Sequence, residues 1–161
     1  MGRYVCCGVD LHARYFCRPG RTNAQWVWSP GGKAYETSKN GTIACQSYFP
    51  GTAYVDWMGF HTYNKSGTPM AYDANPDFLA FYAEAPLWAP GLPLIHSQTG
   101  ATNTTQAQAE WIETAQTSLK TEFPLVRGFG WFNVDEGPIN YMLSGQGLTA
   151  FSAMAADPYF Q

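Results

Sequence analysis

Charge is what this sequence has least of. Nine Lys or Arg and twelve Asp or Glu in 161 residues make 13% charged, roughly half the usual share. So weakly charged a surface implies that a partner covers part of it. The net charge of -3 carries no basic cluster, which excludes a nucleic-acid backbone as ligand, since that needs a positive stripe. No apolar run reaches about 18 residues, and the stretch from Met1 to Phe16 lacks an uninterrupted apolar core. Neither a membrane span nor a secretion signal is therefore read, and the compartment stays open. The four cysteines, Cys6, Cys7, Cys17 and Cys45, show no C-x-x-C spacing of the zinc or thioredoxin kind. Neither metal nor cofactor is expected.

Aromatic residues are plentiful, at 16% with six Trp and ten Tyr, and they suit stacking on flat apolar faces such as sugar rings. The chain punctuates itself with Pro19-Gly20, Pro30-Gly31-Gly32, Asn40-Gly41 and Pro50-Gly51. Residues 2–18 have a loose helical spacing around His12, and residues 1–21 form a poorly specified segment. Residues 23–29 read as a strand with Trp26 and Trp28 on one face, and residues 33–51 read as loop. A second strand spans 55–62, with His61, Tyr63 and Asn64 at its exit. Helical spacing follows over 76–88, where Pro76 suits a first turn. Residues 93–98 form a third strand, and 104–121 a helix with Ala107, Trp111, Ile112, Ala115 and Leu119 as its apolar stripe. A strand over 126–133 and a helix over 148–156 close the chain.

Alternation of this kind predicts an α/β fold with a parallel sheet. The run Pro93-Leu94-Ile95-His96-Ser97-Gln98-Thr99-Gly100 ends a buried strand, and in barrel enzymes chemistry sits at such carboxyl ends. Four strand units, however, fall short of the eight that make a (β/α)8 barrel of about 250 residues. The expectation is a half TIM barrel over residues 22–161, with its first and last strands as unpaired edges and an inner face bearing Trp or Tyr. A homodimer or higher even oligomer would supply the missing strands. Two residues apart on one strand, His96 and Gln98 are expected to point inward together.

Trp26-Val27-Trp28-Ser29-Pro30, the run from Tyr48 to Phe60 containing Tyr54-Val55-Asp56-Trp57-Met58-Gly59, Tyr63-Asn64, Gln98-Thr99-Gly100, Phe123-Pro124 and Trp131-Phe132-Asn133 occur in order. Together they resemble the second half of the retaining β-mannanase-type barrels of glycoside hydrolase family 26, from about Thr22 onward. The resemblance implies a barrel acting on β-linked polysaccharides, of which strands five to eight lie here. It implies that Gln98 occupies the position of the nucleophilic Glu, and that Tyr63 is its hydrogen-bond partner. It further implies that Trp131 lines the sugar site. The acid/base, which the family carries on its fourth strand, has no counterpart in this chain.

An amide cannot serve as the nucleophile of a retaining glycosidase, so the reaction that the resemblance implies should be impaired. His61 and His96 are candidate acid/base groups near neutral pH, or else satisfied polar residues of a barrel interior. Asp135 and Glu136 could bring a carboxylate. Trp26, Trp28, Trp131 and Asn64 are candidate sugar contacts. A non-catalytic carbohydrate-binding remnant is one alternative, and an ester-type hydrolase using Cys7 or Cys17 with His12 or His61 is another. Residues 1–21, with three Cys and four Arg, fit the resemblance poorly. The expectation there is a gene fragment or out-of-frame start, with the other half of the barrel encoded upstream.

Overall fold

The computed structural model describes residues 24–35, 44–104 and 106–161. The helical spacing of residues 2–18, and with it His12, Cys6, Cys7 and Cys17, lies outside the described residues. Four parallel strands form one sheet in the order β1 (Val27–Trp28), β2 (Trp57–Asn64), β3 (Leu94–Ala101) and β4 (Val126–Trp131). Helix α1 (Pro76–Trp88) joins β2 to β3, α2 (Ala107–Thr121) joins β3 to β4, and α3 (Gly145–Ala156) follows β4. The segment expected to be loop contains two short 3-10 helices, Gly32–Tyr35 and Ala44–Tyr48. Among the described residues no helix is long and apolar enough to cross a membrane.

Each long element follows from local chemistry. At α1, Pro76 occupies the first turn and the Asn75 side-chain oxygen accepts from the Phe78 amide at 2.9 Å. Helix α2 buries the stripe read from its spacing, Ala107, Trp111, Ile112, Ala115 and Leu119. It begins at Ala107 because Thr104 is drawn elsewhere, its hydroxyl donating to the Gly67 carbonyl at 2.7 Å. The core lies between the helices and one face of the sheet. Phe60 stacks on Phe81 at 4.2 Å and on His96 at 3.9 Å, and the Trp111 indole donates to Thr99 Oγ1 at 3.1 Å.

The other face, which would line the inside of a barrel, carries Tyr63 towards its carboxyl end, and its middle is built from small residues. A Cβ on Gly59 would lie 2.8 Å from Val27 Cγ1 and 3.1 Å from Ser29 Cβ, and one on Gly128 would lie 2.8 Å from the Ile95 side chain. Between them the Ser97 hydroxyl donates to the Phe60 carbonyl at 2.8 Å and meets Ser29 Oγ at 2.5 Å.

One irregularity decides where the polar side chains go. Phe60 pairs with His96 but His61 pairs with Gln98, so Ser97 is an extra residue, a β-bulge in β3. Gly130 makes room for it, since a Cβ there would come 2.6 Å from the Ser97 carbonyl oxygen. The bulge breaks the two-residue alternation. Leu94 and His96 face the helices before it, and Thr99 does so after it, which turns Gln98 to the inner face.

Candidate functional site

Gln98 sits at the carboxyl end of β3, and beside it on β2 stand His61, its register partner, and Tyr63. The Tyr63 hydroxyl donates to Gln98 Oε1 at 2.6 Å. Burial, with Tyr141 and the carboxylate of Glu136 adding to it, pushes the Tyr63 phenol up to about 12, so it keeps its proton and stays a donor at any ordinary pH. Above Gly100 the ring of Tyr141 fills the space a side chain would need, at 2.8 Å from a hypothetical Cβ. Tyr63, Phe132 and Tyr141 close a triangle of rings, with centroids 5.8, 5.1 and 5.7 Å apart. Two charges flank it. The Lys65 ammonium lies 5.4 Å from the Tyr63 ring centroid, and Glu136 follows β4 in the turn that Asp135 and Asn140 close.

Gln108 holds Tyr141 in place. Its buried Nε2 donates to the carbonyls of Ala101 at 3.2 Å, Tyr141 at 3.4 Å and Met142 at 3.1 Å. Phe132, Tyr141 and Gln108 were not read from the sequence. Tyr141 lies in an irregular segment without periodicity, and only the glycine at 100 signals that a ring must come close.

Several expected site residues go elsewhere. His96 does not share the inner face with Gln98. The Ser97 bulge leaves it wholly buried among Phe60, Tyr72 and Phe129, its Nδ1 sharing a hydrogen bond of 3.0 Å with the Tyr72 hydroxyl and its Nε2 without a partner. Trp131 pairs in register with Thr99 and packs on Phe151 of α3 with ring centroids 6.2 Å apart, its indole donating to the Tyr141 carbonyl at 2.9 Å. The neighbouring Phe132 is the aromatic beside Tyr63. Trp28 is part of the helix-side aromatic layer, edge-on to Phe49 at 5.1 Å. Trp26 lies at the amino end of the sheet, its amide donating to Asp56 at 2.7 Å. Asn64 is buried and spent on its own turn, donating to the Thr68 carbonyl at 2.8 Å and accepting from the Ser66 hydroxyl at 2.6 Å. Cys45 is buried, and burial pushes its thiol up to about 11, the reverse of what a nucleophile needs. Among the described residues no group of three or more His, Cys, Asp or Glu could hold a metal ion.

Burial holds the His96 imidazole well below its ordinary 6.5. The unfolded chain therefore takes up a proton there that the folded chain refuses. Stability is fully present above about 6.5 and is lost as pH falls below it, by at most about 1.4 kcal/mol per pH unit for one proton. Urea midpoints measured between pH 7 and pH 5 should fall in the wild type and lose this component in His96→Gln. Parallel slopes would exclude His96 as the source.

No protein-family model and no curated protein matches the chain. Among solved structures it is similar to the modular endo-β-1,4-mannanase of glycoside hydrolase family 26 from Cellulomonas fimi, with 26% identity and a TM-score of 0.52. That similarity covers 83% of this chain and 30% of the mannanase. An engineered protein shows 26% identity over 87% of this chain and 31% of its own, again with a TM-score of 0.52. A family 128 subgroup I endo-β-1,3-glucanase from Amycolatopsis mediterranei, at 15% identity, shares the fold over 83% of this chain and 58% of its own, with a TM-score of 0.52. The chain thus spans about a third of the first two and little over half of the third. Its fold is glycoside hydrolase-like, four parallel strands with helices that make half of a TIM barrel.

Proposed function

We infer that this chain descends from a retaining β-glycanase, is impaired for hydrolysis, and binds carbohydrate at the carboxyl ends of β2, β3 and β4. The observation that carries the reading is the 2.6 Å hydrogen bond from Tyr63 to Gln98 at the end of β3. There the family resemblance puts a nucleophile and its tyrosine partner. Retaining hydrolysis needs two carboxyl groups about 5–5.5 Å apart, one attacking carbon and one cycling a proton. Gln98 can do neither, yet it is oriented as a ligand-binding group must be, and half-exposed aromatic rings stand beside it. Titration with manno- and gluco-oligosaccharides, together with a panel of chromogenic glycosides and esters, tests this. Saccharide binding without appreciable glycoside turnover is expected; ester turnover without saccharide binding would replace the reading with the esterase alternative.

The site's partner, in this reading, is a second copy of the chain. Strands β1 and β4 each have one neighbour, so both sheet edges are open among the described residues. Val27 at one edge is 43% exposed and Leu125 at the other 46%. Beside β4 a groove of about 340 Å³ is lined by Val126, Phe129, Phe151, Met154 and Phe160, an apolar seat for the element that would continue the barrel. Two copies about a two-fold axis would set each β1 against the other's β4, giving eight strands and no free edge. Light scattering at micromolar concentration should report a dimer or higher even oligomer. A stable mass near 17.8 kDa would overturn it.

A further inference from the structure

We propose that the site selects a sugar carrying an acetamido group, the Gln98 amide donating to its carbonyl and the Tyr63 and Phe132 rings packing its methyl. The inference rests on the carbohydrate-binding reading and names the ligand class. A carboxylate at this position would offer acceptors alone. Tyr63 takes one of the two lone pairs of Gln98 Oε1 at 2.6 Å, and Nε2 adds donors that a carboxylate would lack. Against a carboxylate the gain is a donor, and the ligand group that uses it must bring an acceptor.

What lies beside the donor narrows the choice. The rings of Tyr63 and Phe132 lie 5.8 Å apart at their centroids, that of Tyr63 borders Gly100, and both are only partly buried. They suit a small apolar group adjoining the acceptor, and an acetamido group has that composition. A plain hydroxyl can accept but leaves the rings uncovered. An ammonium brings donors to a donor. Lys65 and Glu136 both act on Tyr63 and carry opposite signs, so neither sign of ligand charge is preferred.

The test compares β-1,4-linked trisaccharides by calorimetric titration: the N-acetylglucosamine trimer, its de-N-acetylated glucosamine counterpart, cellotriose and mannotriose. The acetylated trimer should bind at least about tenfold more tightly than each of the others, the worth of one well-made hydrogen bond. Gln98→Glu should invert the first pair, favouring glucosamine, because a carboxylate attracts the ammonium and cannot donate to the carbonyl. Phe132→Ala, whose ring is not part of the buried core, should weaken the acetylated trimer alone. Equal or tighter binding of cellotriose or mannotriose would overturn the acetamido inference and leave the carbohydrate reading standing. Binding of no saccharide at all would overturn both. A uniform loss across all four sugars in the Gln98→Glu protein, with unchanged circular dichroism, would also overturn the inference.

Discussion

Gln98→Glu is expected to turn a protein that we infer to be impaired for hydrolysis into one that traps itself on an activated glycoside. With a dinitrophenyl β-glycoside the leaving phenolate needs no proton, so the step lacks only an attacking group. A carboxylate placed where Gln98 accepts from Tyr63 at 2.6 Å would attack the anomeric carbon, form the carbon–oxygen bond and expel the phenolate with its electron pair. Deglycosylation then requires a base to draw a proton from water, and the described residues include no counterpart of the family's fourth-strand carboxyl group. Phenolate should appear in a burst of one equivalent, rising by orders of magnitude over the wild type. Intact-protein mass should increase by one glycosyl unit. Unactivated oligosaccharides should stay uncleaved, since an absent general acid costs about 10²–10⁴-fold. Adding Tyr63→Phe should slow the burst by removing the hydrogen bond that orients the carboxylate. Neither burst nor mass adduct in a folded Gln98→Glu protein would mean that the sugar does not present its anomeric carbon at residue 98.

The second large effect concerns stability. Trp111 is completely buried and is the largest side chain beneath the sheet, packed edge-on against Tyr72 at 5.3 Å and bonded to Thr99 at 3.1 Å. Trp111→Ala should cost about 3–5 kcal/mol in lost transfer energy and residual cavity. Ordinary domains have about 5–15 kcal/mol in total, and a parallel sheet covered by helices on one face alone belongs at the low end. The variant should show no cooperative urea transition at 25 °C. Trp111→Phe, which keeps much of the volume and forfeits the hydrogen bond, should unfold cooperatively at a lower urea concentration than the wild type. A Trp111→Ala midpoint within error of the wild type would show that the packing around Thr99 is not what holds β3 to α2.

Much of the architecture was legible because its signals are periodic. The α2 stripe from Ala107 to Leu119 and the Pro76 start of α1 appear in the structure as the sequence implies. The edges of elements were less so, for local reasons. β4 stops at Trp131 short of Asn133, whose side chain instead accepts from the Leu143 amide at 2.7 Å. At the site, Gln98 was read from the strand end and Tyr63 through resemblance, and the two are joined by a hydrogen bond of 2.6 Å. His96 was misplaced because a two-residue period assumes an unbroken strand, and nothing in the run Ile95-His96-Ser97-Gln98 marks the bulge. Trp131 was read as a sugar contact through the resemblance, whereas the register sets it opposite Thr99 and against Phe151. Tyr141 and Gln108 act through tertiary contacts that no local pattern encodes.

The extra residue at Ser97 divides β3 into two stretches that are out of phase with each other. Everything from Gln98 onward owes its side of the sheet to the number of residues before it as much as to its own chemistry. Absorbing Ser97 into the regular alternation would be a frameshift in space: it would drive Gln98 and Gly100 beneath the helices and send Thr99 and Ala101 into the cleft with the composition of the strand unchanged, whereas deleting Ser97 would join His96 to Gln98 and leave Gln98 on the inner face. Gly130 on the neighbouring strand, which makes room for the Ser97 carbonyl, belongs to the same count. The facing of the cleft residues thus depends on one residue staying outside the ladder, which Gly130 allows and which none of the residues lining the cleft sets by itself.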